Sequence, residues 1–499
     1  MKKIALTCLA LLSMASMNAQ IDDDWTKKMK DTQQNVMKDY DSFKQQAQQQ
    51  YSDFRRRANE DYAKFMEEAW KSYETMAADK APEKPKPPQP IVDPDPVTPQ
   101  PVNPIRVPDP IQPPTLPVPD VNKPVVRPRP VEPIKPSPLP PVATQTINMY
   151  GSAFAFHYDK NRPLHLDDVS EKSVAKMWKE LSDPSFDNII AECLSQRDER
   201  NLCDWAYLKL TQGVAENYCG KGTNEAKVMQ MYLLTQSGYK MRIGYADNRL
   251  SLLIGTQEII YGYKYYQLDG AKYYVLDKDL KSKSMNIFNH AFPKETAFSL
   301  NLTQPDLAVV KTAKRTLASK RYPEVRVEIE TNKNLIDFYN EYPLNSRWEN
   351  YSKASISQTL KSTLYPTLKK AIEGKSKLEA ANILINFVQT GFEYATDGEQ
   401  FGYERPLFCD ESFYYPYCDC EDRSILFSCL VRELLGLEVV LLDYPTHIAT
   451  AICFPGDVCG DYLMLDGKKF IISDPTYIGA PVGKCAPKYK TISPNIVRF

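Results

Sequence analysis

The stretch "CDCEDRSILFSCLVRELLG", Cys418–Gly436, puts two cysteines and three acids directly ahead of an apolar run. Ile425, Leu426, Cys429, Leu430 and Leu434 recur at helical spacing, and Gly436 stands where such a helix would stop. A matching stretch lies upstream. "TNEAKVMQMYLLTQSGYKMRI" starts at Thr223 and "CEDRSILFSCLVRELLGLEVV" at Cys420, and 420 − 223 = 197. Further on, "LDGAKYYVLD" ends at Asp277 and "LDGKKFIISD" at Asp474, and 474 − 277 = 197 again. One short match can be chance, but two at one offset point to a repeated unit of helix, strand and hairpin. The body therefore reads as two related domains, 145–310 and 311–499, of mixed α+β class.

The copies differ where chemistry would sit. The second has Cys420, His447 and Asp474; at the same offset the first has Thr223, Leu250 and Asp277. A thiol at a helix N-terminus meets free amide donors and partial positive charge, and both favour the thiolate. Glu421 and Asp422 oppose this, and a histidine nearby would settle it through a thiolate–imidazolium pair. His447 opens the strand-like "HIATAICF", and Asp474 closes "KFIISD", where a carboxylate can orient the ring. The Cys420 amide is the natural first oxyanion donor, and Gln400, Tyr415 and Tyr417 are candidates for the second. Each residue has a plainer reading: Cys420 a structural thiol or disulfide partner, His447 a satisfied core residue, Asp474 a turn cap. Cys418 competes for the nucleophile role. A zinc site from Cys409, Cys418, Cys420 and His447 would need C-x-C spacing, which is not the usual ligand loop.

The order of a cysteine at a helix start ("CEDRSILFSCLVRELLG"), a histidine opening one strand ("HIATAI") and Asp-Pro-Thr after the next ("SDPTY") resembles the transglutaminase-like superfamily, with a papain-related fold. The likeness covers about residues 380–483. Many members carry a small residue and Trp after the histidine, where this chain has Ile448 and Ala449. The resemblance implies thiol chemistry at amide bonds through a Cys420–His447–Asp474 triad: peptidase, amidase or acyl transfer, on a protein or peptide substrate and without a cofactor. It implies a first domain that keeps the fold and has lost the reaction. The rival expectation is a non-catalytic scaffold that grips peptides or cell-envelope components.

Upstream of the body the chain changes character twice. "MKKIALTCLALLSMASMNAQ", residues 1–20, reads as a secretory signal, which predicts an exported bacterial protein of periplasm or cell surface. Residues 21–81 read as a helical segment with an eleven-residue repeat: Tyr40, Tyr51, Tyr62 and Tyr73 recur in step, as do Phe43, Phe54 and Phe65. Eleven residues make three turns, so the aromatics form one stripe that predicts self-association or a partner. Residues 82–144 read as an extended linker, with 24 prolines between Pro82 and Pro141. Its polyproline reach is about 150–190 Å, enough to hold the body away from whatever the helix grips.

Ten of the eleven cysteines follow the export signal, and Cys453 and Cys459, flanking "FPGDV", are the best candidates for a disulfide. The net charge of −1 over 499 residues argues against a nucleic-acid partner. No metal is expected, and calcium is not indicated, because no acidic ligand loop is visible.

Overall fold

The computed structural model describes residues 23–82, 86–94, 127–130, 134 and 143–499. The expected export signal and most of the proline run lie outside the described residues. Residues 1–58 and 59–499 form two units. In the first, the chain is helical from Asp23, and Val36, Met37, Tyr40, Phe43 and Phe54 are exposed.

The helix ends at Met66, well short of residue 81. In the second unit its last turns are part of the core: Tyr62, Ala63 and Met66 are buried, and the Tyr62 ring packs on Trp178, Phe288 and Phe292. Lys71–Glu74 is a strand, β1, that pairs with Ser284–Ile287. Tyr73, in step with the helical tyrosines, therefore stands on a sheet. An open sheet edge presents a row of unmet hydrogen-bond partners, and here it overrides the eleven-residue pattern.

Two hairpins, β2 (Thr144–Met149) with β3 (Ser152–His157) and β9 (Arg315–Ala318) with β10 (Arg326–Ile329), accompany two larger sheets. The first larger sheet contains β4 (Met241–Ala246), β5 (Arg249–Gly255), β6 (Tyr265–Leu268), β7 (Ala271–Val275) and β8 (Ser284–Phe288), in the order β1-β8-β4-β5-β7-β6. The second contains β11 (Glu438–Tyr444), β12 (His447–Cys453), β13 (Tyr462–Leu465), β14 (Lys468–Ser473) and β15 (Asn495–Val497), in the order β13-β14-β12-β11-β15. Read backwards, the second order is β15-β11-β12-β14-β13, which matches β8-β4-β5-β7-β6 of the first; the edge strand β1 has no counterpart. Asn224–Gln236 packs on β4 and β5, and Cys420–Leu430 packs on β11 and β12.

The offset between the two sheets is not constant. The β6–β7 and β13–β14 hairpins close at Leu268↔Ala271 and Leu465↔Lys468, a shift of 197. The β4–β5 and β11–β12 hairpins close at Ala246↔Arg249 and Tyr444↔His447, a shift of 198. The additional residue enters at a π-helical turn, Val431–Leu435, which follows the Cys420 helix and ends at left-handed Gly436. The link from β12 to β13 is one residue shorter than that from β5 to β6, which restores the frame. The counterpart of His447 is therefore Arg249, and the expected Leu250 is displaced by one.

Two further expectations change. Cys453 and Cys459 are both free thiols. They do not flank a hairpin, because β14 lies between β12 and β13 in the sheet. The described parts of the proline run lie against the body and are not a free spacer. Pro128 O accepts from Arg197 at 2.9 Å, and Arg129 O fills the space that a Cβ on Gly238 would need.

Candidate functional site

The second sheet brings two of the three sequence candidates together. β12 and β14 are neighbours, with Thr450 opposite Ser473. His447 at the start of one strand and Asp474 just past the end of the other therefore stand at the same edge. His447 Nε2 lies 2.8 Å from Asp474 Oδ2, and both side chains are buried. Asp474 Oδ1 accepts the amides of Thr476 (2.8 Å) and Tyr477 (3.2 Å). Those two bonds fix the carboxylate, and its other oxygen accepts the ring N–H. This tautomer leaves Nδ1 as the proton-accepting nitrogen. Tyr489 stacks on the imidazole, with centroids 4.8 Å apart and planes 10° from parallel.

The third candidate begins the helix Cys420–Leu430, as the spacing predicts. One turn on, Ser424 Oγ donates to Ile448 O at 2.9 Å, which ties this helix to the strand residue next to His447. Arg423, fully buried, donates to Gln389 O (3.2 Å) and Phe392 O (3.0 Å). Gln389 in turn donates through Nε2 to the carbonyls of Asp474, Tyr477 and Ala480. Arg423 and Gln389 thus join the cysteine helix to the loop that carries Asp474. In the sequence Gln389 shows only as a glutamine in the mostly apolar "ILINFVQTG", and Arg423 has no local signal.

The thiol's surroundings depart from expectation. Cys420 is fully buried, and its Sγ donates to Glu421 Oε2 at 3.1 Å. Burial first, then the Glu421 and Asp419 charges, push the thiol well above its ordinary range, while Lys86 pulls the other way. The helix N-terminus does not prevail over these groups.

Beside the thiol, acids from three chain segments converge. Among the described residues Asp397, Asp419 and Asp422 bring carboxylate oxygens within 4.8 Å of one another, as do Asp397, Glu404 and Glu421. No ligand loop of the kind sought in the sequence is involved, so local reading could not find this cluster. Such a donor set suits a hard cation, but the ammonium of Lys86 occupies it. Its Nζ lies 3.2 Å from Asp397, 2.8 Å from Glu404 and 2.7 Å from Asp419, and it also contacts Glu421. Burial raises the Glu421 pKa, but the opposing pull of Lys86 and its hydrogen bonds is larger, and the net value falls to about 2. Burial, and after it Glu421, push Asp397 up to about 7.

That last shift gives a signed expectation. The folded state holds the Asp397 proton up to about pH 7, whereas the unfolded chain releases it near 3.8. Its contribution is complete below 3.8 and fades as pH rises to about 7. Asp397→Asn should therefore gain stability relative to the parent across that window, by about 1–4 kcal/mol. Urea midpoints between pH 4 and 8 measure the gap, and a gap that stays flat contradicts the assignment.

The oxyanion candidates have other occupations. Gln400 uses both amide atoms on the Tyr417 backbone, at 3.2 and 3.1 Å, so it braces the loop before Cys418. The Tyr415 hydroxyl donates to Asn340 at 2.7 Å, and Tyr417 is exposed. Cys418 is buried against Glu393 O.

In the first sheet Asp277 persists with cationic partners, Lys227 at 2.8 Å and Arg249 at 3.9 Å. It lines the edge of a cavity of about 980 Å³, together with Lys209, Glu341 and Arg405. No family model, curated protein or solved structure matches the chain.

Proposed function

We propose that the chain is an exported transglutaminase-like thiol enzyme acting on amide bonds, built from two tandem copies of one domain, the first without the reaction. The observation that carries this reading is the buried 2.8 Å His447–Asp474 pair at the edge to which the Cys420 helix is tied. In the proposed reaction the thiol proton passes to His447 Nδ1 as Sγ bonds to the carbonyl carbon. The C–N bond then breaks, and the imidazolium returns the proton to the departing amine. Water or a second amine cleaves the thioester. Asp474 holds the ring tautomer throughout. In the first copy Arg249 stands at the position of His447 and, with Lys227, pairs with the retained Asp277.

The test is exposure of the protein to iodoacetamide near neutral pH for hours, with the ten described thiols mapped by mass spectrometry. Cys420 is expected to be alkylated in a His447-dependent manner, and Thr223→Ala is expected to change nothing. Labelling ordered by exposure alone, with Cys459 first and no effect of His447→Ala, contradicts the enzyme.

The second reading, a non-catalytic peptide-binding scaffold, is favoured by the buried, raised thiol. For the N-terminal helix we keep self-association, which the exposed Tyr40, Phe43 and Phe54 support. No described helix is long and apolar enough to cross a membrane.

A further inference from the structure

Lys86–Asp93 belongs to the proline run, yet it lies across the candidate site. Pro87, Gln89, Pro90 and Ile91 form one wall of the narrow cavity whose other wall is Tyr394, His447, Asp474, Thr476 and Tyr477. At one end the Lys86 side chain is 2% exposed among four carboxylates. In the middle, Tyr394 OH donates to Pro87 O at 2.9 Å. At the other end the backbone adds in strand fashion: Ile478 N donates to Ile91 O at 2.7 Å and Asp93 N to Ile478 O at 2.8 Å. Asp93 is buried, pairs with Lys484 at 2.7 Å and accepts from Tyr477 OH at 3.3 Å.

A free spacer would leave lysine solvated. Burying an ammonium is costly unless charge and hydrogen bonds compensate; here Glu421, held ionised, supplies charge, and Asp397, Glu404 and Asp419 bring oxygens within 3.2 Å of Nζ. Three prolines restrict the backbone of the segment, so less ordering entropy is lost when it docks. The main-chain pairing at Ile91–Asp93 is that of a peptide added to a structured edge. These are the features of a ligand held in a groove.

We propose that Lys86–Asp93 is an intramolecular ligand that closes the Cys420–His447–Asp474 site, and that the four-carboxylate pocket beside Cys420 is a subsite for a lysine side chain on an extended, proline-containing peptide. This rests on the enzyme reading only in calling the closed site catalytic; the groove and its occupant stand without it. The segment both covers the site and, through Lys86, keeps Glu421 ionised, so that its carboxylate accepts the hydrogen bond that holds the thiol at rest. Opening it exposes the thiol and empties the pocket together.

The test uses the full chain. Asp93→Ala loosens the far end and leaves the carboxylates untouched; Lys86→Glu puts a fifth acid in the pocket. Both should raise the iodoacetamide rate at Cys420 about ten- to hundredfold and raise amide exchange at residues 86–94. In Asp93→Ala, millimolar acetyl-Lys-Pro-Pro-Gln-Pro-Ile-Val-Asp-amide should restore slow labelling, while the same peptide with norleucine for lysine should not. Protection by the lysine peptide distinguishes an opened groove from a damaged fold. An unchanged Cys420 rate in both variants, or equal protection by the two peptides, overturns the proposal. If Asp93→Ala accelerates labelling equally with and without His447→Ala, the strap stands and the catalytic reading fails.

Discussion

In an Asp93→Ala background, His447→Ala is expected to slow acyl transfer from an activated ester to Cys420 by about 10²–10⁴-fold. The thiol is held protonated by burial and by Glu421 and Asp419, so attack on a carbonyl needs an acceptor for its proton. In the proposed reaction His447 takes it, with Asp474 engaging Nε2 and Tyr489 stacked on the ring. Asp474→Asn should produce a loss in the same direction, since an amide NH₂ turned toward the ring would favour the other tautomer. Trapped acyl-Cys420, quantified by mass spectrometry at several pH values, provides the measurement. A variant that acylates at the parental rate with an unchanged pH profile would mean that the imidazole is a core residue, and that Glu421 alone governs the thiol.

Arg423→Ala is expected to destabilise residues 59–499 by about 3–5 kcal/mol. Its guanidinium is 1% exposed, spans two main-chain carbonyls and lies 5.4 Å from the Tyr394 ring. Truncation leaves both carbonyls unmet and opens a void at the heart of the site. Lysine should not restore the loss, because a single ammonium cannot reproduce the fork that reaches Gln389 and Phe392 together. Denaturant midpoints for Arg423→Ala, Arg423→Lys and the parent decide the matter. A loss below about 1 kcal/mol would show that neighbouring groups or water take over both carbonyls.

The parts of the fold legible in the residues are those with a local signature. The Cys420 helix follows from apolar spacing closed by Gly436, and the strands at His447 and before Asp474 follow from apolar runs bounded by turn residues. The convergence of His447 with Asp474 follows once β12 and β14 are neighbours. What stayed hidden depends on remote partners. Nothing near Lys86 announces that its ammonium meets Asp397, Glu404, Asp419 and Glu421, because charges hundreds of positions apart leave no periodicity. Composition marks the proline run as free of helix, but that is compatible with docking, as residues 86–94 show, as well as with reach. The eleven-residue helical pattern failed after Met66 for a related reason: tertiary pairing with β8 outweighs a local preference. Gln389 and Arg423 were overlooked because polar residues in an apolar helix look like defects until their acceptors are known.

The π turn at Val431–Leu435 has an implication beyond its own geometry. It offers arginine in one sheet and histidine in the other at the same architectural post, the mouth of a two-residue turn. Adding or deleting one codon in the preceding helix slides a finished strand along its neighbour's coordinates, and so changes which side chain is presented without rewriting the strand itself. Reactivity in such a scaffold can be switched by a change of phase as readily as by exchange of a residue, and the two sheets are best compared by their ladder pairings.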